Sequence, residues 1–135
     1  MHSISNALTP RLAALALAAT GLLAPLAARA DWVPVGDTPA LSLLWDRSSR
    51  VQDDYVWRVW EIQDLKAADP EGVRSRQYVN EYDCKHRMHR IGRMESFAGP
   101  MLTGQQLFEV EDFGYWRHIP RRGLFALAYV IHCGK

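Results

Sequence analysis

The pattern of apolar and polar residues first separates a leader from the rest of the chain. An almost uninterrupted apolar run extends from Leu12 to Ala28, follows Arg11, and ends in Ala28-Arg29-Ala30. A positive start, an apolar stretch and small residues at the end form the order that a signal peptidase recognises. We therefore predict that residues 1–30 are a cleaved signal peptide and that residues 31–135 form one domain.

The alternative interpretation of this run is a retained membrane anchor. The run is at the short limit of the ~20 apolar residues that a membrane span needs, and Pro25 interrupts it. No cysteine follows the predicted cut, so the sequence gives no sign of a lipid anchor. We favour cleavage, which leaves no membrane span and directs the domain to the periplasm, the cell surface or the medium.

Beyond the leader, alternating apolar and polar residues predict strands. The clearest strand is Asp54–Asp64, where the alternation places Trp57 and Trp60 on opposite faces. The pattern also predicts an edge strand at Trp32–Val35, an apolar stretch at Leu41–Asp46, a strand at Ser75–Cys84 that Lys85–Phe97 continues, and a short strand at Leu107–Val110. Gly92 weakens the Lys85–Phe97 segment or marks a bulge in it.

The end of the chain changes to a helical period. Leu124, Leu127, Ala128 and Ile131 occur at i, i+3, i+4 and i+7, which places them on one face of a helix. An internal strand is the rival because Tyr129-Val130-Ile131 is β-prone. We favour a short helix that uses those four residues to cover the sheet.

Charge and cysteine content narrow the function classes. Removing residues 1–30 from a chain with 16 basic and 15 acidic residues takes away only Arg11 and Arg29, so the domain has a formal charge of −1. That balance argues against a general nucleic-acid binder, which needs a basic surplus.

An exported chain is expected to pair its cysteines, and Cys84 and Cys133 are the only two cysteines in the chain. We predict a disulfide between them that ties the C-terminal helix to the sheet.

No motif indicates catalysis, a cofactor or a metal. His86 and His89 could chelate a metal together on a helix, but on a strand they point to opposite faces. The acidic residues Glu109, Glu111 and Asp112 lack the alternating oxygen ligands of a calcium loop. No nucleophile motif accompanies a histidine, so we predict that the protein is not an enzyme and has no cofactor.

A basic run from Lys85 to Arg93 is the candidate binding element. If it is extended, Lys85, Arg87, His89 and Arg93 share one face, and Cys84, His86, Met88 and Arg90 lie on the other, beneath the helix or at its rim. One interpretation is an anion-binding stripe for an anionic glycan, phosphates or an acidic protein loop. The other is a solvated face balanced by acids such as Glu81, Asp83 and Glu95. We nominate Arg87, His89, Arg93 and the aromatic Trp57 as ligand-binding residues.

Several segments together resemble the surface-adhesin protein E-like family of Gram-negative bacteria over nearly all of residues 31–135. They are Asp31-Trp32-Val33-Pro34-Val35-Gly36, Val56-Trp57-Arg58-Val59-Trp60, Glu81-Tyr82-Asp83-Cys84-Lys85-His86-Arg87, Gly99-Pro100-Met101, Tyr115-Trp116-Arg117-His118-Ile119-Pro120 and the closing Cys133. The resemblance implies a six-stranded antiparallel sheet and a C-terminal helix held by the disulfide. It also implies attachment to host proteins such as vitronectin and laminin, and a tendency to form homodimers.

We therefore expect an α+β single domain with an antiparallel sheet of about six strands and a C-terminal helix. The first function hypothesis is a non-catalytic, adhesin-like binding module of the cell envelope, with a protein or anionic glycan as its ligand. The second is a periplasmic structural or accessory protein that partners another envelope component. Because a fold alone does not determine a function, both hypotheses stay open at this stage.

Overall fold

The computed structural model describes residues 29–134, and all but the last two residues of the predicted signal peptide lie outside that range. In chain order the elements are β1 (Trp32–Asp37), β2 (Leu41–Asp46), β3 (Val51–Asp53), β4 (Val56–Leu65), β5 (Ser75–Asp83), β6 (Met88–Phe97), β7 (Gln106–Val110), β8 (Arg117–His118) and α1 (Leu124–Cys133). No helix in these residues is long and apolar enough to cross a membrane.

The eight strands form one antiparallel sheet. Its main path has the order β1-β2-β4-β5-β6-β7, which confirms the predicted sheet of about six strands. The short strand β3 pairs with the start of β4, and the short strand β8 pairs with the start of β6. Pro34 lies in the edge strand β1, where the missing N–H of proline is tolerated.

A tight turn separates β5 from β6, so the prediction of one continuing β segment across residues 84–87 was wrong. The Asp83 side chain accepts hydrogen bonds from the backbone N–H groups of Lys85 and His86, both at 2.9 Å. Arg87 closes the turn with a φ of 53°, in the left-handed region where glycine is more usual. The turn reverses the chain, and Tyr82 pairs with His89.

The reversal changes which side chains face α1. His89, predicted to lie on the face away from the helix, is only 7% exposed and contacts Phe125 of α1 at a ring-centroid distance of 4.7 Å. Met88 and Arg90, predicted to lie beneath the helix or at its rim, alternate with His89 and lie on the other face of β6. The predicted bulge near Gly92 is confirmed, since the β5–β6 register shifts opposite residues 92–95 and Arg93 has a φ of 52°.

Helix α1 covers one face of the sheet, but not with all the residues that the period predicted. Its buried residues are Ala126, Ala128, Tyr129 and His132, which pack with the core cluster of Leu43, Trp45, Val59, Tyr82 and Ile119. Ile131 is 40% exposed, and the prediction that it faces the sheet was wrong. Leu127 is 51% exposed and reaches the sheet only in part, with its Cδ1 close to Gly36 of β1. The helix is apolar around most of its circumference, and periodicity alone did not identify its buried side.

The disulfide between Cys84 and Cys133 is present, and it joins the β5–β6 turn to the last residue of α1. Tyr129 strengthens the same junction by donating from its hydroxyl to the Cys84 carbonyl at 3.1 Å. Trp57 packs against the helix-side core, whereas Trp60 occupies the opposite face of β4 by strand alternation. The C-terminal helix is thus fixed at its end by a covalent bond and along its length by packing.

Candidate functional site

The four residues nominated from sequence do not form one site. His89 is buried beneath α1, and Trp57 lies under Arg50, whose guanidinium carbon is 3.5 Å from the ring centroid. Arg93 is exposed at the β6 bulge. Trp57, His89 and Arg87 each line a different cavity that α1 also borders, and Arg87 lines the one that contains two further arginines.

Arg87 is held in place at the edge of that cavity. Its guanidinium carbon lies 4.7 Å from the ring centroid of Tyr129. Its Nη2 donates to the Pro120 carbonyl at 3.4 Å, and its own carbonyl accepts from the Ile119 N–H at 3.2 Å. These contacts bring the β5–β6 turn next to the segment that precedes α1, and they orient the Arg87 side chain before any ligand arrives.

The cavity is an open groove of about 550 Å³ along the outer side of α1. We call it the arginine groove. The lining residues that matter for its chemistry are Arg87, Arg121, Arg122, Leu124, Leu127 and Val130. Gly123, with a φ of 101°, makes the turn between the two adjacent arginines and the first residue of the helix.

The arginine groove has an excess of positive charge. Among residues 29–134, none of Arg87, Arg121 and Arg122 forms an ion pair. The acid at the groove, Asp37, is bound by the Lys66 ammonium at 2.7 Å. Hydrogen bonds from Lys66 and Ser42 lower the pKa of Asp37 below its usual value. The groove is therefore suited to a negatively charged ligand.

The wall of the groove that α1 supplies is apolar. Leu127 and Val130 are 51% and 49% exposed, although both are aliphatic side chains in the centre of a helix. Ile131 extends the same exposed side. An apolar patch next to cationic groups on a small domain is typical of an interaction surface.

A second polar cluster lies on the inner side of α1 and is buried. Glu61 is fully buried, accepts from the Tyr82 hydroxyl, and accepts from Asn80 Nδ2 at 3.1 Å. Asn80 Oδ1 lies 3.2 Å from Nδ1 of His89. These residues come from three adjacent strands, and strand alternation directs all of them towards the helix.

Burial controls the charge of this cluster. Desolvation raises the pKa of Glu61 to about 7, against the opposing hydrogen bonds from Tyr82 and Asn80. Burial also lowers the pKa of His89, with the positive charge of Arg117 adding to the effect. Burial lowers the pKa of His132 to about 4, assisted by Arg50. Near neutral pH both histidines are therefore uncharged.

One member of the buried cluster, His89, lies beside a cavity. His89 borders a cavity of about 360 Å³ between β6 and the segment that leads into β8, but its one hydrogen-bond partner there is the amide of Asn80 and not a hydroxyl or thiol nucleophile. Within residues 29–134 no three His, Cys, Asp or Glu residues are grouped so that they could hold a metal ion. The described geometry thus favours the exposed groove as the candidate functional site.

Sequence reasoning missed Arg121 and Arg122, which contribute most of the groove's charge. Their signal was the sequence Pro120-Arg121-Arg122-Gly123 directly before the helix, where a turn exposes both side chains. One ion pair and one hydrogen bond from the basic run to acidic residues support its interpretation as a partly balanced surface. Arg90 Nε lies 3.0 Å from Glu81, and His86 Nδ1 lies 2.8 Å from Asp83.

Comparison with known proteins agrees with this fold. A family model described as surface-adhesin protein E matches residues 32–134. A structure of Haemophilus influenzae protein E has a TM-score of 0.57 and 13% identity, covering 78% of this chain and 86% of that chain. Another, from non-typeable Haemophilus influenzae, has a TM-score of 0.56 and 15% identity, covering 82% of this chain and 80% of that chain. At these identities the structural likeness shows the fold alone. No curated protein matches the chain.

Proposed function

Because the chain belongs to the surface-adhesin protein E family, we propose that it is a non-catalytic, adhesin-like binding module that is displayed at the cell surface and attaches to host extracellular proteins. In this proposal residues 1–30 are removed during export and residues 31–135 are the binding domain. The arginine groove is the binding surface, and Arg87 is the residue retained from the sequence-based nomination.

The observation that carries the proposal is the pairing of uncompensated arginines with an exposed apolar helix side in one groove. Arg121 and Arg122 form no ion pair among the described residues, and Leu127 and Val130 are about half exposed. Titratable groups that could support chemistry, such as Glu61 and His132, are instead buried. A surface with both charge and apolar area supports protein binding, where aliphatic contacts and charge complementarity act together.

Surface display can be tested on intact bacteria that express the full chain. Proteinase K is added to whole cells, and the protein is followed by immunoblot beside a known periplasmic protein. We expect cleavage in whole cells while the periplasmic control survives. The same digestion after permeabilisation shows whether the disulfide-linked domain is itself sensitive to the protease.

Attachment is then measured by adding these cells to immobilised vitronectin, laminin and serum albumin. Cells that carry the protein should bind vitronectin or laminin more than albumin, and R121E/R122E should reduce that binding. Protection from protease until the outer membrane is opened would overturn surface display, and would favour a periplasmic partner of the envelope instead. Equal binding by cells that lack the protein would overturn attachment.

A further inference from the structure

We infer that the ligand of the arginine groove is an acidic segment of a partner protein that also presents apolar side chains, and not a sulfated glycan. This inference rests on the proposed function, because it names the ligand class of the same surface. It concerns the chemistry of the groove, so it can be tested with purified protein and without cells.

The charges in the groove select a negatively charged partner. Five other arginines of the domain, Arg47, Arg58, Arg74, Arg76 and Arg90, pair with carboxylates of the same chain. The three groove arginines do not, and the nearby Asp37 is already bound by Lys66. Carboxylates brought into this groove would thus meet guanidinium groups that do not have to leave an existing ion pair.

One of these arginines is also oriented in advance. The contact of Arg87 with the Tyr129 ring, at 4.7 Å, and its bond to the Pro120 carbonyl hold the side chain at the groove. Holding a long side chain in one orientation reduces the entropy that is lost when a ligand binds. Arg121 and Arg122 are exposed and can adjust to the position of an arriving carboxylate.

The apolar wall argues against a sulfated glycan. A glycan presents sulfates, carboxylates and hydroxyls, which would leave Leu127 and Val130 facing polar groups. A peptide segment can place aliphatic side chains against this wall while its acidic residues reach the arginines. Burial of apolar area contributes about 25 cal/mol per Å², so a ligand that covers the wall gains affinity that charge alone does not provide.

The groove is large enough to take a short peptide segment. Its volume of about 550 Å³ falls within the ~300–1,000 Å³ typical of concave sites that enclose small ligands. The wall formed by Leu124, Leu127 and Val130 runs along successive turns of α1. A short helical or extended peptide can follow that direction and contact all three side chains.

The test measures fluorescence anisotropy with purified residues 31–135, the disulfide kept oxidised. The probe is a short fluorescein-labelled peptide in which glutamate pairs alternate with leucine. A second peptide has serine in place of each leucine and the same net charge, and a heparin oligosaccharide is used as the competing glycan. We expect the glutamate–leucine peptide to bind about tenfold more tightly than the glutamate–serine peptide.

Three variants locate the binding. R122E should weaken the binding of the glutamate–leucine peptide about tenfold, whereas the matched control R93E should change the affinity by less than about twofold. Both arginines are exposed, and only Arg122 lines the groove. L127A/V130A should remove the preference for leucine over serine. Thermal melts of each variant show whether the fold is retained.

Three results would overturn the inference. Equal effects of R122E and R93E would mean that the peptide responds to overall charge and not to the groove. Heparin or the serine peptide binding as tightly as the leucine peptide would mean that the wall is not used. Sedimentation that shows self-association abolished by L127A/V130A would mean that a second copy occupies the groove. Cell-surface display is measured separately, so its failure would leave the peptide result interpretable.

Discussion

The two sides of α1 are both largely apolar, but one side is buried and the other is exposed. On the inner side, Ala128, Tyr129 and His132 are buried against the sheet. On the outer side, Leu127 and Val130 are about half exposed beside the arginine groove. A helix that is apolar around its circumference usually has both sides covered, so the exposed side of α1 indicates a place for a partner.

The ionisable groups divide in the same way. Those on the inner side, Glu61 and His132, have shifted pKa values because burial disfavours their charged forms. Those on the outer side are the arginine guanidinium groups and Asp37, whose pKa is lowered, so all of them stay charged at physiological pH. We therefore expect pH to act mainly on stability through the inner side, and much less on ligand binding through the outer side.

The largest expected effect on the inner side comes from removing the disulfide. C84A/C133A releases a loop with a sequence separation of 49, for which the chain-entropy estimate is about 4 kcal/mol of unfolding free energy. Urea denaturation of the oxidised wild-type protein and the double variant measures the difference. A loss below about 1 kcal/mol would mean that the packing of α1 holds the helix without the covalent bond.

Glu61 should give the next largest effect, and it depends on pH. Its pKa rises from 4.5 in the unfolded chain to about 7 in the folded protein, so the folded state holds its proton more tightly. Stability from this group is fully present below pH 4.5 and is lost as the pH rises through 7. By linkage, the loss reaches about 3 kcal/mol at pH 8.

The variant E61Q isolates this contribution. Its unfolding free energy should lack the loss between pH 5 and pH 8 that the wild-type protein shows in urea denaturation. E71Q, at an exposed glutamate in the loop before β5, is the matched control and should keep the wild-type profile. Parallel profiles for E61Q and wild type would contradict a buried carboxyl with a raised pKa.

His132 should act with the opposite sign and over a lower pH range. Its pKa falls from 6.5 in the unfolded chain to about 4 in the folded protein, so the unfolded chain takes up the proton first. Stability is therefore lost as the pH falls from 6.5 towards 4, by about 1 kcal/mol at pH 5.5. NMR titration of the His132 ring checks the pKa directly, and a midpoint near 6.5 would contradict it.

Much of this architecture could be predicted from sequence, because local alternation of apolar and polar residues indicates strands. The prediction of strand β4 and of the bulge near Gly92 depended on residues close in sequence. The prediction of the disulfide depended on Cys84 and Cys133 being the only possible pair. The β5–β6 turn could not be predicted in that way, because it contains neither glycine nor proline. It depends on the Asp83 side chain and on Arg87 in a left-handed conformation.

The candidate site was harder to predict because it assembles distant residues. Arg87 lies in the β5–β6 turn, whereas Arg121 and Arg122 precede α1, and only the packed helix brings them together. The nominated His89 was misplaced because an unrecognised turn reverses the chain before it. The period of α1 was also ambiguous, because apolar residues lie on both sides of the helix. Only the tertiary fold determines which side is buried.

The smallest expected effect on stability belongs to the outer side of α1. L127A should change the unfolding free energy by about 1 kcal/mol or less, because a half-exposed leucine loses only part of its packing and alanine favours the helix. The matched control L43A removes a leucine that is 1% exposed in the core, and it should cost 2–5 kcal/mol, on the order expected for buried leucines.

The same pair of variants also shows whether the outer side is free in the isolated protein. If L127A lowers the unfolding free energy by more than about 1.5 kcal/mol, Leu127 is covered in solution. The stability of the wild-type protein should then increase with protein concentration, because association favours the folded state. A small cost that does not depend on concentration would leave the outer side open. In that case the exposed leucine contributes little to folding, and its apolar area remains available for the acidic, apolar segment that the arginine groove is proposed to bind.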